Sequence, residues 1–542
     1  MFLKSSLNYI NEFCFIFKDQ LRRIYLNSSI YNKKISKIDG NDLVYQPSLN
    51  ILSSLIKYEK QKEKIEDFNV KSIWENKHLN YSDFKKLHSF YWLFSIDLKS
   101  SNNDTQSIIE NWINKNHNYE AKSWELDILS KRLIAWISNS KITYDESENN
   151  YKNKFNGIVS KQVNHLINEI DRSYSLNNKM IGCTAITLSG IAYKNKRFLT
   201  YGLDLLKKII NTSFDNNYFP KSRNIRQMVF YLKYFILIRE LLKDSLNEIP
   251  EYLDEIIFYL GKSYDFFWGS LNQSLLFNGN NHSDYRDFDK YLSLFRYKFK
   301  NDKFNISGYT ILKNKNTVLA MDTGANPIKN YSESYQSGPL SFEFFYKNKK
   351  LITNSGYFQN HNHQLNSISK SSAIQSTLIL DNSSACSFKK KSNGPSIVSK
   401  GFKTFDNQVI YEKKYWSIRC SHDGYLSRYG VIHQRNLEYD TEKNVLLGID
   451  RIIKKKNFKV TNFEIRFHLL PNIKVIKLQD NKSILIELEN SGWRFVSNDG
   501  LIGVETGLYF GNKNNYIENQ NIFISGITQN NEQLIKWQIS RI

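Results

Sequence analysis

The sequence predicts a two-part α + β protein, with helices first and antiparallel strands after about residue 300. Between Leu253 and Phe267, apolar residues recur at the i, i+3, i+4, i+7 spacing of a helix with one buried face. From residue 308 to 324, apolar and polar residues alternate as in a half-buried strand, and similar short runs continue to Ile542. A chain of 542 residues exceeds one ordinary core, so we expect two or three domains.

The helical part is expected to span residues 61–300. Pro250 stands just before a run with helical periodicity, where the start of a helix tolerates proline. Trp124, Arg132 and Trp136 are separated by multiples of four residues and are therefore predicted to share a helix face. Periodicity alone is compatible with a bundle, a solenoid or an α/α toroid.

Residues 301–542 are expected to form an antiparallel β-sandwich or stacked-sheet domain. Within it, residues 339–357 have the pattern of a strand, a Lys-Asn-Lys turn and a second strand. The boundary with the helical part is predicted between Phe277 and Ser307. Residues 1–60 alternate apolar and basic residues, and they predict only a leader that packs on the next domain.

The composition favours a globular protein without a membrane span. Hydrophobic residues make up 41% of the chain and charged residues 24%, and no stretch approaches the roughly 18 apolar residues of a membrane helix. Near the N-terminus, Asn8, Asn11 and Glu12 interrupt the apolar residues, and no small-residue cleavage site follows. The sequence therefore predicts no transmembrane helix and no clear signal peptide.

The four cysteines favour buried free thiols. Cys14, Cys183, Cys386 and Cys420 are widely separated and form no CxxC pair. This spacing argues against both a cysteine zinc site and a disulfide framework.

The formal charge of +22 suggests an anionic partner, either an acidic glycan or nucleic acid. The lysines are spread along a chain that is also rich in asparagine and isoleucine, as an AT-rich coding sequence would produce, and they form no dense run. No nucleic-acid-binding module is recognisable. An acidic glycan is therefore the preferred partner, and nucleic acid is not expected.

The most distinctive stretch, from Ser421 to Asp450, has the pattern of a β-hairpin rich in polar residues. His433 and Arg435 are two apart, so in an extended strand both side chains leave on one face. His422 and Tyr425 lie just upstream on either side of a Gly turn. We expect this stretch to contribute to a site.

This stretch resembles the His-x-Arg pair followed by Gly-x-Asp in bacterial heparinase II/III-like proteins, a family of polysaccharide lyases. The resemblance implies an α/α toroid followed by a β-sandwich domain. It also implies a location in the cell envelope or periplasm, whereas the poor signal peptide leaves the cytoplasm open. Further matching segments follow in the same order: Leu340–Glu343, Ser376–Leu378, Ile465–Pro471, Gly492–Phe495, Val504–Tyr509 and Ile535–Trp537.

The resemblance also implies roles for residues of the helical part. Cleavage of a uronate glycan by β-elimination needs a group that neutralises the sugar carboxylate, a base and an acid. Asn178 is the candidate neutraliser, with a helix cap as the alternative. Arg223, followed by Asn224, could clamp the carboxylate, with a structural ion pair as the alternative.

The catalytic tyrosine of active relatives has no counterpart at the matching position, which holds Gln227. Tyr231 or Tyr234, one and two turns further on, could substitute, with core packing as the alternative. We therefore expect Asn178, Tyr231, His422 and His433 to be the catalytic residues. The expected substrate-binding residues are Arg223, Asn224, Gln227, Gln375, Tyr425 and Arg435.

Active relatives also bind zinc through histidine and aspartate at positions that correspond to Gln336, Asn354 and Gln375 here. Amide side chains are poor zinc ligands beside imidazole and carboxylate. The sequence therefore predicts that no metal is bound, and elimination requires no cofactor.

The remaining histidines allow several interpretations. His361 and His363 have the spacing of strand ligands, but an exposed loop is the alternative. His468 lies between apolar residues and is interpreted as a core residue. His282 and Arg286 could line a cleft, or they could pair with nearby aspartates.

The function expected from the sequence is cleavage of an acidic, uronate-containing polysaccharide such as a glycosaminoglycan or alginate by β-elimination. The alternative is a weakly active or inactive protein that binds acidic glycans on the same scaffold. A nucleic-acid-binding protein is a third hypothesis, based on charge alone.

Overall fold

The computed structural model describes most of the chain. Its described residues are 17–37, 42–55, 74, 79–96, 102–269, 271, 273–391, 394–455, 459–489, 491–512 and 515–542.

The chain divides into two compact units. One contains residues 1–212 and 231–257, and the other contains residues 213–230 and 258–542. The predicted division at residue 300 follows the change from helices to strands, whereas the second unit also includes helical residues. The reason lies in side chains such as Arg223, whose partners belong to the strand-rich part of the sequence.

Helices predominate before residue 300, as predicted. The α-helices are Ser29–Ile35, Leu49–Leu52, Tyr81–His88, Asn102–Asn116, Leu126–Ser138, Ser140–Thr143, Asn149–Glu169, Leu176–Ala192, Lys196–Ser213, Ile225–Asp244, Glu251–Trp268, Arg286–Leu294, Gln364–Ile368 and Leu426–Tyr429. Short 3-10 helices are Tyr91–Ser95, Ile170–Arg172, Lys329–Tyr331 and Ser372–Ile374. The α/α toroid stays an expectation from the resemblance.

The aromatic face predicted in the helical part is buried around Arg132. Trp124, Arg132 and Trp136 are all nearly inaccessible to solvent. The Arg132 guanidinium lies 4.0 Å from the Trp112 ring centroid and donates to the carbonyls of His88 and Ser123. A buried cation is tolerated here because aromatic faces and carbonyl oxygens replace its hydration.

All strand pairs in the second unit are antiparallel, as predicted. The strands are β1 Asn305–Ile306, β2 Tyr309–Lys313, β3 Thr317–Asp322, β4 Phe342–Tyr346, β5 Lys349–Ile352, β6 Leu378–Leu380, β7 Ser387–Lys390, β8 Ser396–Lys400, β9 Thr404–Tyr411, β10 Tyr415–His422, β11 Val431–Asp440, β12 Val445–Lys454, β13 Asn462–His468, β14 Lys474–Lys477, β15 Ser483–Leu488, β16 Ser491–Ser497, β17 Leu501–Tyr509, β18 Ile517–Ile527 and β19 Glu532–Arg541.

Three sheets share one hydrophobic core. Their strand orders are β1-β2-β3-β4-β5, β14-β15-β16-β19-β12-β11-β10-β9 and β17-β18-β13-β6, and β7 and β8 form a separate pair. The Trp537 ring lies at the meeting point, 5.5 Å from Phe342 and 4.7 Å from Phe467 between ring centroids. Because these rings belong to different sheets, their packing holds the sandwich together.

The cysteines within the described residues are free and buried, as predicted. They are Cys183, Cys386 and Cys420, whereas Cys14 lies outside the described residues. None of the helices that the structure describes is long and apolar enough to cross a membrane.

Gly448 makes room for Trp537 in this core. The two residues are directly opposite each other on β12 and β19, and a Cβ atom at position 448 would overlap the indole ring. We expect Gly448→Ala to lower the free energy of unfolding by about 1–3 kcal/mol, as overpacking does, in urea denaturation. The matched control is Gly492→Ala on β16, whose new Cβ would meet only Ile542 at 3.8 Å. Equal effects of the two substitutions would contradict this packing.

Candidate functional site

The predicted hairpin carries a buried polar network centred on Asp450. The Arg435 guanidinium donates to both Asp450 oxygens, at 2.8 and 3.2 Å, and His433 Nε2 lies 2.7 Å from Oδ1. Trp537 Nε1 donates to Asp450 Oδ2 at 2.8 Å, and His422 Nε2 lies 3.1 Å from His433 Nδ1. Every potential charge in this network therefore has a partner inside the protein.

His433 and Arg435 do share one strand face, but it is the core face. Both side chains have 0% exposure, as does His422, and burial lowers the pKa of both histidines. Burial alone would raise the pKa of Asp450, but Arg435 and His433 hold it below its usual range. A polymeric substrate cannot contact side chains without exposed surface. The expected catalytic roles of His422 and His433 and the substrate-binding role of Arg435 are therefore corrected to structural ones.

Tyr425 is also structural. Its side chain is fully buried, and its hydroxyl donates to the Leu378 carbonyl at 2.9 Å. Burial raises the pKa of this phenol above its usual value. The expected contact of Tyr425 with substrate is corrected for the same reason as that of Arg435.

Arg223 forms the structural ion pair that was the alternative to a substrate clamp. Its guanidinium donates to Asp322 Oδ1 at 2.6 Å, and it also donates to the carbonyls of Ser307, Gly308 and Ala325. Because these internal acceptors occupy its N–H groups, Arg223 has little capacity left to bind a sugar carboxylate.

Asn224 is a helix cap instead of a substrate ligand. Its side-chain oxygen accepts from the Gln227 backbone at 3.0 Å, and its Nδ2 donates to Ser334 Oγ at 2.7 Å. Gly279 has φ +79°, and a Cβ atom there would overlap Asn224 Nδ2, so only glycine allows this close approach.

Amides occupy the three positions that the resemblance matches to the family's zinc ligands, namely Gln336, Asn354 and Gln375. Gln336 accepts from the Gly279 backbone and donates to the Gly356 and Ser369 carbonyls, and Asn354 accepts from the Ser376 backbone. These residues do not fit zinc, because their side chains are poor ligands and are largely engaged with backbone groups. Among the residues that the structure describes, no group of three or more His, Cys, Asp or Glu side chains could hold a metal ion.

Gln375 lies beside this amide cluster with almost no exposed surface. Neither Gln375 Nε2 nor Asn354 Nδ2 has a hydrogen-bond acceptor among the described residues. The position is too buried for the expected direct contact between Gln375 and a polysaccharide, which is therefore corrected.

In the helical unit, Asn178 is partly exposed and is not the helix cap. Ser175 caps helix Leu176–Ala192 by accepting from the Asn178 backbone at 3.2 Å. Asn178 therefore stays a candidate ligand. Tyr231 and Tyr234 are buried, with Tyr231 at 0% exposure and 5.8 Å from the Phe235 ring, so the core-packing alternative applies and the catalytic role of Tyr231 is corrected.

The first turn of helix Ile225–Asp244 presents Arg226 and Gln227 at the surface of the second unit. Both side chains are partly exposed, and Gln227 Oε1 accepts from Ser222 Oγ at 2.5 Å. Arg226 lies close enough to Tyr285 and Tyr357 to interact with them electrostatically. Burial lowers the pKa of Arg226, and the structure records no carboxylate partner for it among the described residues.

A histidine–tyrosine pair lies in the same group of loops. Tyr509 and His282 Nε2 share a short hydrogen bond, and the His282 backbone donates to the Gly511 carbonyl at 2.8 Å. His282 is partly exposed, whereas Tyr509 is 2% exposed. Burial and the nearby Lys350 ammonium lower the pKa of His282 to about 4, so the imidazole is neutral at pH 7. Burial raises the pKa of Tyr509, which keeps its hydroxyl protonated.

Asn281 holds these loops together. Its Nδ2 donates to the carbonyls of Tyr357 and Phe510 at 2.7 and 2.6 Å, and its Oδ1 accepts from Gln359 Nε2 at 3.1 Å. Tyr357 is also a neighbour of Arg226. We define the loop cluster as residues 226–227, 281–285, 357–359 and 509–511, and it is the candidate functional site.

The contacts of the other histidines decide between the interpretations that the sequence left open. His361 and His363 are exposed, and His363 caps the short helix Gln364–Ile368, which agrees with the loop alternative. His468 is buried and bonded to Ser355 and to the Ala373 carbonyl, as a core residue is. Arg286 pairs with Asp284 as expected, but the partner of His282 is Tyr509 and not an aspartate.

Comparisons with known proteins show what the chain is similar to. Residues 299–538 match the family model described as Heparinase II/III-like, C-terminal. Over these residues the chain is similar to the C-terminal domain of heparinase II/III-like proteins. This confirms the resemblance recognised in the sequence, and the segments that carry it contribute residues such as Phe342 and Trp537 to the shared core described above. Gly448 and Asp450 of the Gly-x-Asp motif lie against Trp537. No curated protein sequence matches the chain significantly.

Solved structures extend the likeness beyond the matched residues to the helical part of the chain. A mutant of the heparan sulfate lyase HepC from Pedobacter heparinus aligns with a TM-score of 0.66 at 14% identity, over 94% of this chain and 87% of that one. A heparinase III gene product gives 0.70 at 13% identity over 93% and 87%, and a crystal structure of heparinase III gives 0.68 at 14% over 93% and 87%. At these identities the comparisons show a shared fold alone.

Sequence reasoning missed Arg226, Tyr509 and the pairing of His282. Tyr509 is 227 positions from His282, so no local spacing predicts their contact. Arg226 lies two residues after the recognised Arg223-Asn224 pair, yet nothing local indicates that it has no acidic partner among the residues that the structure describes.

Removal of Arg435 tests the structural role of the buried network. We expect Arg435→Met to lower the free energy of unfolding by about 3–5 kcal/mol, because Asp450 would be left as a buried charge without its main counterion. Urea denaturation measures the effect.

The matched control for Arg435→Met is Arg451→Met on the adjacent strand. Arg451 pairs with Glu532 at 3.2 Å, but the two side chains are 43% and 49% exposed. We expect a change within about 1 kcal/mol for this solvated pair. Comparable losses in both variants would argue against a special role for the buried network.

Proposed function

We propose that this protein is a polysaccharide lyase that cleaves a uronate-containing glycan by β-elimination at the loop cluster. The observation that carries the proposal is the Arg226 guanidinium, which is partly exposed and has no carboxylate partner among the described residues. It belongs to the same loop cluster as the His282–Tyr509 pair, to which it is linked through Tyr357 and Asn281. The lyase fold supports the same class of reaction.

Arg226 would neutralise the substrate carboxylate. A guanidinium that is partly removed from water pays a desolvation cost, and a bound carboxylate would offset that cost through a bidentate ion pair. Neutralisation makes the adjacent ring proton more acidic, because the negative charge that develops on the carboxylate is stabilised. Arg226 replaces Arg223 in this role, since Arg223 is occupied by Asp322. Asn178, which belongs to the other unit, stays an expectation from the sequence.

His282 would accept the ring proton at Nδ1, in the neutral tautomer whose Nε2–H donates to the Tyr509 oxygen. Its imidazole is neutral at pH 7, as a base must be, and the hydrogen bond to Tyr509 fixes the orientation of the ring. The electron pair left on the ring forms the carbon–carbon double bond as the glycosidic C–O bond breaks. His282 can then return its proton to the departing oxygen, so one residue serves as base and acid. Tyr509 is too buried to touch substrate and is a positioning residue.

The runner-up function is binding of an acidic glycan without cleavage. The amides at Gln336, Asn354 and Gln375 favour it, because active relatives have metal ligands at these positions. Gln227, at the position of their catalytic tyrosine, favours it as well. In both functions the partner is an acidic polysaccharide. A location in the cell envelope or periplasm is part of the proposal and rests on the family resemblance.

Ultraviolet absorbance separates the two functions, because only elimination creates an unsaturated uronate. The purified protein is incubated with a panel of alginates, glycosaminoglycans and bacterial exopolysaccharides. We expect absorbance to rise with at least one member. Arg226→Gln is expected to lower the rate by about 100-fold or more, as the loss of one electrostatic stabiliser does. His282→Gln, which keeps a hydrogen-bonding group beside Tyr509, is expected to abolish the rise.

The matched control is Arg286→Gln, which removes an arginine that is 84% exposed and already paired with Asp284. It should retain the wild-type rate. A flat trace across the panel together with saturable binding of one acidic glycan would replace the lyase with the binding function. Undiminished elimination in both Arg226→Gln and His282→Gln would place the chemistry outside the loop cluster.

A further inference from the structure

A second concave site lies in the same unit, beside the segment that carries Arg226. It is a pocket of about 290 Å³ with Tyr259, Lys262 and Lys303 among its lining residues. Asn217 contributes from segment 213–230, and Ser307 contributes from the turn between β1 and β2. This volume is near the lower end of small-ligand pockets, which suits one sugar residue.

Tyr259 provides a rigid aromatic surface in this pocket. Its ring stacks on Tyr218 with a centroid distance of 4.6 Å and an interplanar angle of 5°, and the residue remains 37% exposed. Because Tyr218 supports one face, the orientation of the Tyr259 ring is fixed before a ligand binds. The C–H bonds on one face of a pyranose carry partial positive charge, and they pack favourably against such a π surface.

Two lysines line the pocket, and no ion pair closer than 3.9 Å is recorded for either among the described residues. Lys262 lies 3.9 Å from Asp302, which is 76% exposed, and no ion pair is recorded for Lys303 among the described residues. Flexible ammonium groups of this kind attract carboxylates and sulfates. An aromatic platform between lysines and asparagines matches an acidic sugar better than it matches an apolar ligand.

The pocket is structurally continuous with the Arg226 segment. Ser307 lines the pocket, and its carbonyl accepts from Arg223 Nε at 3.0 Å, three residues before Arg226. Ser307 Oγ also donates to Asp215 Oδ2 at 3.0 Å. These contacts fix segment 213–230, which carries Arg226, against the pocket wall.

We propose that this pocket is a remote subsite for one acidic sugar residue of the same polysaccharide, with Tyr259 stacking on the ring and Lys262 and Lys303 contacting its anionic groups. The subsite deepens the proposed function, since it rests on an acidic glycan being the partner, but it does not require cleavage. It would bind in the lyase and in the non-cleaving alternative alike.

Calorimetric binding of alginate and heparan sulfate hexasaccharides to the full chain tests the subsite, with carboxyl-reduced alginate hexasaccharide as the uncharged probe. We expect Tyr259→Ala and Lys303→Gln each to weaken binding of the preferred hexasaccharide about 10-fold, whereas Tyr259→Phe, which keeps the ring, should bind as the wild type does. The reduced probe is expected to bind more weakly than its parent and to be insensitive to Lys303→Gln.

Two control variants make the same substitutions at exposed positions away from the pocket. They are Tyr174→Ala in the helical unit and Lys443→Gln in the turn between β11 and β12. They should leave binding unchanged, and thermal melting should show that every variant is folded. Wild-type affinity in both Tyr259→Ala and Lys303→Gln would overturn the subsite, as would a wild-type protein that binds neither acidic hexasaccharide. Failure of the proposed function can be distinguished from failure of the subsite. If binding responds to these variants but no acidic glycan gives an ultraviolet rise, the lyase function is wrong and the subsite stands.

Discussion

The β-sandwich domain depends most on the ion pair between Arg435 and Asp450. Both side chains are fully buried, so each charge has lost its hydration and relies on the other for compensation. The remaining Arg435 donor groups bind the carbonyls of Leu340 and Ser376, which belong to two irregular segments outside the hairpin. Trp537 adds a third connection, because its indole donates to Asp450 and packs between the sheets. One ion pair therefore fixes the hairpin, two loops and the C-terminal strand.

Two further buried ion pairs extend this framework to the candidate site. The ion pair between Arg223 and Asp322 anchors segment 213–230, which carries Arg226. Lys350 and Glu343 lie 2.8 Å apart, and Glu343 accepts from the Leu276 backbone just before the loop that carries His282. The internal charges are thus neutralised within the scaffold, and the loops that they position present Arg226 with no acidic partner among the described residues. Whether a cation has a buried acidic partner therefore distinguishes structural from functional cations better than its position in the sequence does.

The sequence predicted the succession of helices and strands and the shared face of His433 and Arg435, because both follow from the periods of regular structure. It misassigned that face, although the information was present. Val431, Leu437 and Tyr439 have the same parity and are apolar, whereas Gln434, Asn436 and Glu438 have the other, so the histidine and arginine lie on the core side. The His282–Tyr509 contact was beyond sequence reasoning, because it joins two irregular loops through tertiary structure. The carboxylate partner of Arg223 was likewise set by folding, 99 residues away along the chain.

The most direct test of the account is histidine footprinting with diethyl pyrocarbonate, read by mass spectrometry, with and without the acidic oligosaccharide that binds most tightly. The reagent acylates accessible neutral imidazoles. We predict that His282 reacts in the free protein and is protected by the oligosaccharide, that the exposed His361 reacts equally in both states, and that the buried His422 and His433 react in neither. Protection of His433, or a reactive His282 that the bound oligosaccharide leaves unchanged, would contradict a site at the loop cluster.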